Sequence, residues 1–187
     1  MTMIGDDLQH VRQRIAKACA DAGRDPGAVR LLAVSKTFGP EAVREAHAAG
    51  QAAFGENYVQ EGLDKIAALA DLRAGLEWHC IGPLQSNKTR PVAEQFDWVH
   101  GIDRLKIAER LSAQRPAHQP PLQVCLQVNV DGGANKSGVT PEEALPLARA
   151  VAALPQLVLR GLMAIPEPAP DFEAQRALFL RAKALFD

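Results

Sequence analysis

Leu31-Leu32-Ala33-Val34-Ser35-Lys36-Thr37-Phe38-Gly39-Pro40 is an apolar, strand-like run that closes on one lysine and then breaks into a turn. Further apolar runs follow at 52–54, 78–81, 98–102, 124–129 and 159–165. Each gives way to a polar or Gly/Pro turn and then to a stretch with helical spacing, over 41–49, 59–70, 92–96, 104–114, 141–154 and 171–186. A helix precedes them all, its apolar stripe made by Ile4, Leu8, Val11, Ile15 and Ala18 and its end marked by Gly23-Arg24-Asp25-Pro26-Gly27. Regular βα alternation predicts a parallel sheet, because each crossover helix returns the chain to start the next strand in the same direction. The Pro-rich pieces at 116–121 and 165–171 read as loops, since the alternation continues across them.

Two architectures accommodate this pattern, an open doubly wound sheet and a (βα)₈ barrel. The open sheet calls for a glycine fingerprint after its first strand, where this chain has Lys36-Thr37-Phe38-Gly39. A barrel collects its chemistry at the C-terminal ends of its strands. Lys36, Glu56 with Asn57, Gln85 with Asn87, Asp103 and Asn129 all fall there. The α/β class with a TIM-type barrel is therefore the expectation, with about six of the eight βα units present.

The 187 residues, 47% hydrophobic and 23% charged, suit one compact domain over 1–187. A net charge of −1 without a basic run argues against nucleic acid or an anionic membrane surface as partner. Cys19, Cys80 and Cys125 are odd in number and widely spaced, which fits a reducing compartment rather than a disulfide framework. The first residues mix charge with apolar side chains, so neither a signal peptide nor a membrane span is expected and the cytoplasm is the anticipated location.

The loop Gly132-Gly133-Ala134-Asn135-Lys136-Ser137-Gly138 lacks the glycine that a phosphate-cradling P-loop places before its lysine. His47, His79, His100 and the cysteines show no metal-ligand spacing. Cys80 and Cys125 sit in apolar runs, where thiols are usually inert. No carboxylate pair is singled out by its spacing. Lys36 remains. Strand alternation puts it on the face of Leu32 and Val34, where desolvation would favour a neutral amine able to attack an aldehyde and form a Schiff base. Snorkelling of its charge to the wet end of the strand is the other reading of the same residues.

Lys36 in Leu-Leu-Ala-Val-Ser-Lys-Thr, the segment 55–61 (GENYVQE), Trp78-His79 through 81–88 (IGPLQSNK), and 160–166 (RGLMAIP) together resemble the pyridoxal 5′-phosphate homeostasis protein family, which is related to the barrel domain of alanine racemase. The resemblance spans essentially the whole chain, with the motifs in the family's order. It implies pyridoxal 5′-phosphate as cofactor, held as a Schiff base on Lys36, and a monomeric carrier that delivers it to apo-enzymes. An amino-acid racemase or lyase on the same barrel is the alternative. Racemisation needs an opposing acid/base group, in alanine racemase a tyrosine from an additional domain, and Tyr58 is the only tyrosine here. A non-catalytic interaction module is a third possibility.

Asn57, His79 and Met163 are the further candidates for cofactor contact. Asn57 would hydrogen-bond the ring or fix the lysine, or else cap the helix that starts near Tyr58. His79 would reach the cofactor or be a satisfied core histidine. Met163 would form a soft wall against a planar ring or pack in the core. Lys136 would shape the pocket rim or stand solvated in its loop. Family members continue for about two more βα units, which carry the phosphate-binding turns and an arginine beside the pyridine nitrogen. None of these matches a position here, so the barrel is expected to be C-terminally incomplete.

Overall fold

The structure, a computed structural model, describes residues 3–132 and 137–187. Six strands, β1 (Ala33–Val34), β2 (Ala53–Glu56), β3 (Glu77–Cys80), β4 (Trp98–Ile102), β5 (Leu122–Gln127) and β6 (Leu157–Met163), form a sheet in chain order. The pairs β1–β2, β3–β4, β4–β5 and β5–β6 are parallel, as the alternation requires. The helices are α1 (Met3–Asp21), α2 (Pro40–Ala48), α3 (Val59–Ala68), α4 (Thr89–Gln95), α5 (Leu105–Gln114), α6 (Pro141–Ala152) and α7 (Phe172–Phe186). The chain divides into two compact units, Met1–Trp78 and His79–Asp187, with the division inside β3.

In the first unit, Pro40 opens α2 at a position where its missing N–H leaves no bond unmade. The far end of α2 is tied down by Arg12 of α1, whose guanidinium donates to Ala49 O and Gly50 O, each at 3.0 Å. The first of these belongs to the C-cap of α2, whose carbonyl a helix terminus leaves without an intrahelical donor. Gln51 Nε2 donates to Leu31 O and Ala53 O, fixing the approach to β2 beside the chain that becomes β1. Val43, Ala46, Phe54, Ile66, Leu69 and Trp78 are buried here. Phe54 and Trp78 pack with ring centroids 5.9 Å apart.

In the second unit, α4 and α5 pack on each other and α5 on β4, with Val92, Phe96, Ile107 and Leu111 all essentially inaccessible. Burying side chains of this size contributes about 1.5–3 kcal/mol each. Buried Arg115, just past α5, donates to Ala93 O and Phe96 O and so satisfies the end of α4. Beneath α6, Val128, Val130, Val139 and Ala144 form a smaller apolar cluster, joined by Leu162, Ala164, Ala182 and Leu185.

The expected α/β order is the observed one, and β4 occupies the residues predicted for it. β5 and β6 each begin two residues before the expected start and end two before the expected end. Leu122 and Val124 alternate inward around Gln123, which makes the strand start directly after Pro121. Gly161, at φ +147°, lies where the β5–β6 register shifts, a backbone state that side-chain-bearing residues rarely adopt. α4 starts at Thr89 rather than at 92, because Pro91 falls within the first turn, where its lack of a donor is harmless. Short 3₁₀ turns at Pro26–Ala28, Ala70–Gly75 and Ser86–Lys88 carried no apolar period by which to be foreseen.

Candidate functional site

Lys36 lies two residues beyond β1, in a turn closed by Phe38 N–H donating to Ser35 O at 3.1 Å. Thr37 occupies the third position of that turn with φ 68°. Left-handed backbone is where turns of this kind ordinarily place glycine, and for a β-branched residue it is strained. Lys36 itself is exposed, and Val34, on the same face, is 49% accessible. The expectation that Lys36 is desolvated is thus corrected: β1 is only two residues long, the lysine stands past its end, and Ser35 is the residue turned into the core. Among the described residues the Lys36 amine has no hydrogen-bond or ion-pair partner, which leaves it available to an electrophile.

The buried lysine is Lys65, on α3. Its ammonium donates to Ser35 O at 2.6 Å, Glu56 Oε1 at 2.8 Å and Glu61 Oε1 at 2.7 Å, so all three of its hydrogens are engaged. Ser35 Oγ donates to the same Glu56 oxygen at 2.5 Å, and Thr37 N–H to Glu61 Oε1 at 2.6 Å. The Lys65 hydrogen bond, followed by that from the Thr37 backbone, holds the Glu61 carboxyl below its ordinary range against partial desolvation. This network was not foreseen. The i,i+4 spacing of Glu61 and Lys65 was its one legible sign, and the reach of Lys65 back to Ser35 depends on tertiary packing.

The β1–β2 register pairs Ala33 with Phe54 and Val34 with Gly55, so its continuation sets Lys36 at the level of Asn57. Asn57 is half-buried and does not cap α3; Tyr58 holds that position and makes no side-chain cap bond. The two candidates of the first unit thus follow neighbouring parallel strands, an amine after β1 and an amide after β2. Such a donor set suits a carbonyl compound with ring acceptors.

In the second unit, His79 is buried in β3, its Nδ1 2.9 Å from His100 Nε2 of β4 and its ring stacked on Trp98 at 5.2 Å. That is the satisfied core histidine of the two alternatives. The guanidinium of Arg160, on β6, lies 5.6 Å from the Trp98 ring centroid. Burial, then the charge of His79, pushes His100 down to about 4. Met163 ends β6 opposite Gln127 of β5 and is half-buried. Its neighbours Leu162 and Ala164 pack beneath α6, and by alternation Met163 takes the opposite face. β4 and β5 separate the strand of His79 from that of Met163.

Asn87, Asp103 and Asn129 follow β3, β4 and β5, as a barrel's functional end requires. Lys136 lies outside the described residues. All the cysteines are buried and unpaired, with burial pushing Cys80 up to about 12 and Cys125 up to about 11. Such burial disfavours the thiolate, the form in which a cysteine reacts. Among the described residues no group of three or more His, Cys, Asp or Glu side chains gathers as a metal site.

A parallel α/β sheet with its polar residues at the C-terminal strand ends defines the class, and the chain belongs to the alanine racemase N-terminal domain family, whose profile matches residues 7–187. Within that class its near relatives are pyridoxal phosphate homeostasis proteins. It is 62% identical over 185 residues to the one of Pseudomonas aeruginosa, covering 99% of this chain and 80% of that protein. To the one of Escherichia coli K12 it is 55% identical over 176 residues, covering 94% and 75%. Among solved structures, PipY of Synechococcus elongatus PCC7942 with pyridoxal phosphate bound is 37% identical, with a TM-score of 0.78 over 92% of this chain and 79% of that one. A protein of unknown function from Bifidobacterium adolescentis is 34% identical, with a TM-score of 0.90 over 97% and 77%. Alanine racemase from Corynebacterium glutamicum, 24% identical at a TM-score of 0.60, shares the fold.

Proposed function

We propose that this chain binds pyridoxal 5′-phosphate, holds the cofactor's aldehyde on the Lys36 amine, and stores and delivers it to apo-enzymes rather than turning over amino acids. The observation that carries the reading is the exposed, partner-free amine of Lys36, presented by a strained turn at a strand end. The names of the relatives and the pyridoxal phosphate bound to PipY support it. When bound, the cofactor supplies an aldehyde that condenses with a neutral amine, a C=N bond replacing C=O and one water leaving. Lys36 takes the covalent role in this proposal and Asn57 orients the bound ring.

What surrounds the amine supports a carrier role. Racemisation requires a second acid/base group facing the lysine. Tyr58, the only tyrosine, is 60% exposed at the start of α3. Among the described residues no helix is long and apolar enough to cross a membrane. Chiral analysis of alanine and serine after long incubation with the cofactor-loaded protein tests the role. Turnover at least about a hundredfold below that of a racemase is expected, the share that general acid–base catalysis supplies. Robust stereochemical inversion that disappears in Lys36→Ala would replace the carrier with an enzyme.

A further inference from the structure

We infer that Glu61 and Lys65, one turn apart on α3, form a positioning clamp that presents the Lys36 amine for reaction; the inference rests on Lys36 being the residue that takes the aldehyde. The turn Ser35-Lys36-Thr37-Phe38 is gripped at the carbonyl before Lys36 and at the amide after it. Lys65 Nζ donates to Ser35 O at 2.6 Å, and Thr37 N–H donates to Glu61 Oε1 at 2.6 Å. The two gripping side chains are joined to each other at 2.7 Å, so both peptide groups flanking Lys36 are referred to one rigid helix.

The left-handed Thr37, at φ 68°, is the feature that asks for such a device. A β-branched residue stays in that region only where its surroundings over-determine it, and such strain collects at functional positions. A lysine side chain has several rotatable bonds, and fixing its Cα and backbone direction removes much of the search its amine must make for an aldehyde. Glu56 completes the anchor from β2. It is buried, accepts from both Lys65 Nζ and Ser35 Oγ through Oε1, and so ties the clamp to the sheet.

Two variants separate positioning from structural support and from charge. Glu61→Ala removes the acceptor of the Thr37 amide, whereas Glu61→Gln keeps an amide oxygen there and drops only the charge. Borohydride trapping of the pyridoxal phosphate adduct, mapped to the peptide containing residue 36, reads the reactivity of the amine. Hydrogen exchange at Thr37 reads the grip on the turn without any cofactor. In Glu61→Ala we expect faster exchange at Thr37, trapping at Lys36 slowed about tenfold per folded molecule, and little change in melting temperature. In Glu61→Gln both readouts should return toward the wild type.

Trapping in Glu61→Ala at the wild-type rate per folded molecule would overturn the clamp, whatever the exchange or melting shows. Equal slowing in Glu61→Gln would overturn it too, by assigning the effect to charge. A wild-type adduct on a lysine other than 36 would instead overturn the functional reading beneath it, an outcome the Thr37 exchange difference keeps apart from failure of the clamp.

Discussion

Lys65 is almost fully buried, yet each of its ammonium hydrogens meets an oxygen, of Ser35, Glu56 or Glu61. A buried ion pair of this kind adds little net stability over an apolar replacement of the whole group, but removing one partner strands the other's charge in the interior. Lys65→Met should therefore cost about 3–5 kcal/mol. Urea denaturation measures it; a loss under about 1 kcal/mol would mean that Glu56 finds another partner. At this scale the sequence was legible in type and less so in place. The polar residues at strand ends were legible from position, and Lys36 was singled out among them by the family resemblance. Desolvation was assigned to the wrong lysine because strand alternation says which residues share a face, not which face is covered. Coverage is decided by helix packing, and Lys65 of α3 is buried together with Ser35, just past β1, and Glu56 of β2.

The parallel pair β3–β4 carries a titrating contact between His79 and His100. His100 is held near 4, below its ordinary 6.5, first by burial and then by the charge of His79. Between those values the unfolded chain binds more protons than the folded one, so stability is complete above about pH 6.5 and falls as the pH drops toward 4. The slope from this group is at most about 1.4 kcal/mol per pH unit. Chemical denaturation over that range should show the fall, and His100→Gln should flatten it; an unchanged slope in the variant would place the titration elsewhere. Elements were legible where periodicity was strong, as in α1 and β4. Boundaries were displaced where glycine or proline acted through geometry, as at Gly161 and Pro91. The pairing of His79 with His100 depends on the β3–β4 register, which sets His79 against Trp98 and leaves His100 two residues on.

Over the whole chain, alternating βα units led to the α/β class, and the family match over residues 7–187 bears that class out. That Lys36, Asn57, Asn87, Asp103 and Asn129 follow the C-terminal ends of their strands was legible too, because parallel strands send every following turn to the same side. Lys36 is exposed and free, whereas Lys65 is locked into three hydrogen bonds, so the two should differ sharply toward an aldehyde although both are lysines near the same turn. The central claim is that Lys36 alone holds the cofactor. Incubation with pyridoxal 5′-phosphate, borohydride reduction and peptide mapping by mass spectrometry should place the reduced adduct on Lys36, and Lys36→Ala should abolish it. A dominant adduct on Lys65, Lys88 or Lys136, or one that survives in Lys36→Ala, would contradict the account.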